Sequence, residues 1–240
     1  MEMNNITKSP KDYDFESTFS PPRMRIYLKN SSNNKNLAIE DYIFNLKLAQ
    51  AFITPLDFME ISLRNAIGEV LTDCFGDKWY ELDGFLNNLS SSRRSDLNLV
   101  INQLKKSKGI YCKDDVIANL NLRFWEALLS KKMFHIVWKG RLEQIFPHKP
   151  ITLSEEIFLE NLRTKLNQLR PFRNRIAHHE QILYKPNIGQ RYTDCVKIVG
   201  YRSSEAKNIL LKNQEVTKLL NLRRTRNYQK NNNLALSKLF

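Results

Sequence analysis

Apolar residues recur at intervals of three and four over most of this chain. Ile39, Tyr42, Ile43, Leu46, Ala49 and Ile53 share one such spacing and predict a helix over 38–53. A shorter helix is expected ahead of it from Arg23 to Lys29, opened by Ser20-Pro21-Pro22 and closed by the polar run 30–36. A further helix is marked by Thr54 as N-cap, Pro55 in the first turn and Asp57 as a capping-box acid. Its stripe is Leu56, Met59, Leu63, Ile67, Val70 and Leu71, and Gly76 is its stop. Helices are also expected over 91–108, 114–130 and 133–146, and from Ser154 through Leu166 to Arg170. The segment 195–199 fits strand or helix equally. With no sustained period-two alternation anywhere, the expected fold class is all-α.

Composition narrows the class. Hydrophobic residues make up 42% of the 240 positions, ample for a core and too many for a disordered chain. No apolar run reaches the ~20 residues that span a bilayer, so no membrane partner is expected. The opening Met1-Glu2-Met3-Asn4-Asn5 has no charged-then-apolar pattern, so no secretory signal is expected. Three scattered cysteines (Cys74, Cys112 and Cys195) leave one unpaired and have no metal-ligand spacing, so a reduced, cytoplasmic setting fits best. The domain reading is a flexible arm over 1–20, one helical domain over 21–220, and a basic tail over 221–240.

Charge then suggests a partner. The chain carries 38 Lys+Arg against 25 Asp+Glu, a net +13. Residues 181–240 hold 12 of those cations and 3 of the acids, so +9 of the excess lies in the last quarter. Such a balance points to a polyanion, with a merely solvated basic surface as the alternative. In the tail, Arg223, Arg224, Arg226 and Lys230 surround Tyr228 with no acid among them, which suits contact with RNA, with a free solvated tail as the alternative.

The densest chemistry is Arg173-Asn174-Arg175-Ile176-Ala177-His178-His179-Glu180. A histidine with an ordinary pKa near 6.5 can move a proton at cytosolic pH, typically worth about 10²–10⁴ in rate. An arginine fork suits a phosphate and the charge that builds on it in a transition state. On a helix Asn174 and His178 share a face, while Ile176 and Ala177 are expected to anchor the other side. Adjacent helical residues point about 100° apart, so His178, His179 and Glu180 cannot converge on one metal. Pro171 is expected to break the preceding helix, placing the motif at a fresh helix start with backbone N–H groups turned to an anion. His135 and His148 read as packing or surface residues. Trp79, Phe124, Trp125, Phe134 and Trp138 read as core.

The string Arg-Asn-x-x-Ala-His-His-Glu resembles the R-x4–6-H motif of HEPN-domain ribonucleases, in the form carried by Abi-like (abortive infection) proteins. Leu63-Arg64-Asn65-Ala66-Ile67 with Glu60 before it resembles that family's N-terminal helix, and Phe75-Gly76-Asp77-Lys78-Trp79 the turn after it. The run 122–130 resembles the family's Phe-Trp helix, and 169–173 its lead-in to the motif. The resemblance spans roughly residues 20–185.

What it implies is a HEPN-type helical bundle and a homodimer whose two motif helices form one composite site. The activity implied is a metal-independent, cofactor-free endoribonuclease in which the 2′-OH attacks the adjacent phosphate. In that scheme His178 is the general acid/base, Arg173 stabilises the phosphate, Asn174 orients the histidine or the motif backbone, and His179 supports. Arg175 adds a cation for RNA. Glu60 and Arg64 are either partners of the motif or a plain i,i+4 surface pair. A toxin or phage-defence effector of this kind needs a restraining antitoxin, for which the basic last quarter favours RNA over protein. The alternatives are a non-catalytic RNA-binding module and a helical partner of a nucleotidyltransferase.

Overall fold

The computed structural model of the chain describes residues 14–223. Among them there is no strand. The helices in order are α1 (Phe15–Phe19), α2 (Pro21–Asn30), α3 (Lys35–Phe75), α4 (Asp83–Leu86), α5 (Ser91–Lys108), α6 (Lys113–Asn119), α7 (Leu122–Ala127), α8 (Lys131–Met133), α9 (Leu142–Ile145), α10 (Glu155–Ala177), α11 (Ile188–Arg202) and α12 (Ser204–Lys212). Residues 216–223 are also helical. The chain divides into two compact units, Met1–Lys47 and Leu48–Phe240, with the division falling inside α3. The sequence alone predicts one helical domain over 21–220, which this division cuts within α3.

In the first unit Tyr42 is the hub. Phe15, Phe19 and Tyr27 pack on its ring with centroids 5.6, 5.3 and 5.4 Å away, the separation at which aromatic edges and faces attract. The described end of the expected flexible arm is therefore a helical turn, capped by Asp14 on the Ser17 amide. Residues 1–13 lie outside the described residues, as do Arg224, Arg226, Tyr228 and Lys230 of the basic tail.

The second unit is built on α3 and α10. The break expected at Thr54-Pro55 does not occur: α3 runs through Pro55 for 41 residues. Leu48, Phe52, Leu56, Met59 and Leu63 stay in one phase across the proline, and all are buried, so the core holds the helix through it. The break expected at Pro171 is absent as well. Leu162, Leu166, Leu169 and Phe172 are buried at unbroken helical spacing, and α10 continues to Ala177. Phe52 meets Phe172 edge-on at 4.9 Å, which ties the two helices together beside the motif.

Two expected helices prove to be chains of short pieces. The stretch 114–130 divides at Asn121, whose side chain caps α7 by accepting from the Phe124 amide at 2.9 Å. The stretch 133–146 contains a π-helical turn over Phe134–Trp138 and the short α9. The segment 195–199 is helical, within α11. Trp79, Phe124, Trp125, Phe134 and Trp138 are all buried, and His135 and His148 are exposed. At Gly68 the Ile117 side chain of α6 lies so close that an added Cβ would collide with its Cδ1 atom.

Candidate active site at the end of the motif helix

The motif occupies the C-terminal end of α10, contrary to the helix start expected from Pro171. The difference matters electrostatically. A helix start offers amides to an anion; this end offers carbonyls and the negative end of the dipole. A phosphate here must be held by side chains.

The end itself is closed by a left-handed residue. His178 is the C-cap, and His179 follows with φ 55°. The His179 amide donates to the Ile176 carbonyl at 3.0 Å and the Glu180 amide to the Arg175 carbonyl at 2.7 Å. That pair of bonds is the Schellman arrangement, which usually places glycine where His179 stands. An apolar contact usually accompanies it between the residues held here by Arg175 and Glu180. In its place the Arg175 Nη1 pairs with the Glu180 Oε2 at 2.9 Å, and the Arg175 Nε donates to the Gln181 carbonyl at 3.1 Å. The guanidinium expected to meet RNA is thus engaged in closing the helix. The residues anchoring this end are Leu169 and Phe172; Ile176 is half-buried, and Ala177, expected to anchor, is exposed.

Arg173 and His178 are both exposed. Five residues separate them, about 7.5 Å along the axis and about 140° around it. The His178 ring makes no hydrogen bond among the described residues, whereas its backbone amide donates to the Asn174 carbonyl at 2.9 Å. Asn174 therefore supports the motif backbone through its main chain. Its exposed side chain makes no hydrogen bond among the described residues.

Glu60 reaches this end from α3. Its Oε2 lies 3.3 Å from the Arg173 Nε. The Glu60 side chain is 16% exposed and that of Arg173 is 44% exposed, so the acid is the fixed partner and the guanidinium the accessible one. With Nε engaged, the two Nη groups of Arg173 have no hydrogen bond among the described residues and are the donors a phosphate would take. Among the described residues Glu60 forms no ion pair with Arg64, so the i,i+4 surface pair is not what these residues make. Arg64 instead donates through Nη1 to the Ala118 carbonyl at 3.3 Å, and its Nε is buried with no partner.

One contact had no assigned role in the sequence. Arg170 donates through Nε to the Glu126 Oε2 at 2.6 Å, and the Glu126 side chain is 11% exposed. This clamp fixes α10 against α7 one turn before Arg173. Both residues lie within stretches singled out in the sequence, yet a partner 44 positions away carries no local signal. Asp194 on α11 fixes the same helix from another side, accepting from Lys165 and from Gln190 at 3.0 Å each.

Arg223 lies in the helical run 216–223, away in sequence from the motif. Among the described residues no three His, Cys, Asp or Glu side chains group as metal ligands, and no helix is long and apolar enough to cross a membrane. Comparison with protein-family models, with curated proteins and with solved structures finds no match.

Proposed function

We propose that this protein is an endoribonuclease that works without a metal and cleaves by attack of the 2′-OH on the adjacent phosphate. The observation that carries this reading is the exposed end of α10, where Glu60 holds Arg173 by Nε and both Arg173 and His178 are open to solvent. His178 takes the 2′-OH proton as the oxygen attacks phosphorus, and the Arg173 fork bonds the charge that builds on the phosphoryl oxygens. The P–O5′ bond breaks, and the leaving oxygen takes a proton from a second histidine. Within one protomer Arg173 and His178 point well apart around the helix, so a homodimer bringing two motif ends together would supply that acid. The products are a 2′,3′-cyclic phosphate and a 5′-OH, and DNA, which lacks the 2′-OH, is not a substrate.

The reading rests on the motif's resemblance to HEPN ribonucleases of the Abi-like kind and on this geometry. By the same resemblance the biological role is that of a toxin or phage-defence effector, cytoplasmic and restrained by an RNA antitoxin. The test is incubation of the purified protein with RNA in EDTA, with DNA as control. Wild type cleaves RNA, and His178→Ala and Arg173→Ala each lose about 100-fold or more. Cleavage that survives both substitutions would sink the proposal. RNA bound tightly but never cut would make the protein a non-catalytic binding module.

A further inference from the structure

A pocket of about 220 Å³ lies between the first turns of α10 and the stretch 129–134. Its apolar wall is Leu129, Phe134 and Leu159, all buried. Four charged residues complete the lining: Lys131 from α8, and Glu156, Glu160 and Arg163 from α10. All four are exposed, and none makes an ion pair or a side-chain hydrogen bond among the described residues. Glu160 and Arg163 stand three residues apart, a spacing at which opposite charges on a helix can pair, whereas Glu156 and Glu160, four apart, repel weakly. Glu156 also suits the helix dipole from the first turn; Glu160 and Arg163 have no such role. Glu155, by contrast, is engaged by the fold, accepting from the Gly140 amide at 2.9 Å.

Size bounds the occupant. Drug-sized ligands take about 300–1,000 Å³, and an apolar cavity of about 150 Å³ holds benzene, with about six non-hydrogen atoms. In that proportion 220 Å³ holds about nine, the number in leucine and well short of a nucleotide. Charge narrows the class further. The rim carries two cations and two acids, so a simple anion or a simple cation would leave one pair unanswered. A zwitterion answers both. Its carboxylate takes the Arg163 fork and the Lys131 ammonium, its own ammonium lies between Glu156 and Glu160, and its apolar body meets Leu129, Phe134 and Leu159.

We infer that this pocket binds a free α-amino acid with an apolar side chain of about leucine's size. The inference is independent of the ribonuclease reading, and its test involves no cleavage. The full chain is titrated calorimetrically with L-leucine, with L-leucinamide, which lacks the carboxylate, and with N-acetyl-L-leucine, which lacks the ammonium. Leucine should bind, and each analogue should bind about tenfold or more weakly, the worth of hydrogen bonds to a charged group. Arg163→Gln should weaken leucine about tenfold and leave leucinamide unchanged. Glu160→Gln should weaken leucine by a similar factor and leave N-acetyl-leucine unchanged. Both positions are exposed, so the variants should keep the wild-type urea midpoint. No binding of leucine, analogues that match it, or substitutions that weaken all three compounds alike would each overturn the inference. So would glycine binding as tightly as leucine, because the apolar wall would then have no part, or adenosine monophosphate binding where leucine does not.

Discussion

The two ends of α10 are built on opposite plans. At the start, Ser154 caps the helix by accepting from the Ile157 amide at 3.4 Å, and Glu155 and Glu156 complement the dipole. Every residue there does what an isolated helix would want. At the other end a histidine takes the left-handed position that favours glycine, an ion pair replaces an apolar contact, and three residues of the last two turns, Arg173, Asn174 and His178, are exposed with polar groups to spare. Local rules broken at one end and kept at the other mark where a helix has a task beyond folding.

Separating the two plans experimentally begins with catalysis, where the effect is largest. His178→Ala or Arg173→Ala should lower kcat/KM on RNA by about 100-fold or more, whereas Ser154→Ala should leave it within error; equal losses at the two ends would erase the contrast. Next comes the partner that fixes Arg173. Glu60→Ala should lower kcat/KM about tenfold through misplacement of the guanidinium, with Glu60→Gln recovering part of it, and single-turnover rates on RNA measure both. A smaller effect distinguishes the roles of the paired histidines. His179→Gly should hold or raise stability by up to about 1 kcal/mol, because φ 55° suits glycine. Ser154→Ala should cost about 1 kcal/mol in urea unfolding. A His179→Gly protein that folds well but no longer cuts RNA would show that His179 has a chemical part as well.

The smallest effect lies away from both ends. The Asp115 carboxyl at the start of α6 is held down at about 2 by the Lys108 ammonium and the Cys112 amide. Its contribution is whole above the ordinary value of 3.8 and fades as pH falls through about 2. Wild type should therefore lose melting temperature over that window more steeply than Asp115→Asn, and parallel curves would count against it.

Much of this was legible in the sequence, and the misses have physical causes. Ser91–Lys108 with its Gly109 stop was readable because cap, stripe and stop agree. Pro55 and Pro171 misled because a proline marks helix starts more often than interiors. The corrective signal was present: Leu48, Phe52, Leu56 and Met59, like Leu166, Leu169 and Phe172, keep helical phase across the proline. Asn121 was an overlooked N-cap inside what reads as one helix. At the site, the motif residues were legible as chemistry, and Glu60 as a candidate, but the choice between a surface pair with Arg64 and a contact with Arg173 needed the packing of α3 beside α10. The closing role of His179 was hidden, because a left-handed φ has no side-chain signature when glycine is absent.

Gly68 extends the reach of the core to the site by subtraction. With no Cβ at 68, Ile117 nests against the α3 backbone, and the next residue, Ala118, turns its carbonyl to Arg64. A single methyl group added at 68 would collide with the Ile117 side chain, which would have to turn aside next to the residue whose carbonyl takes Arg64. That carbonyl serves a guanidinium whose Nε has no partner, so repacking at 68 would be felt at Arg64, one turn from Glu60.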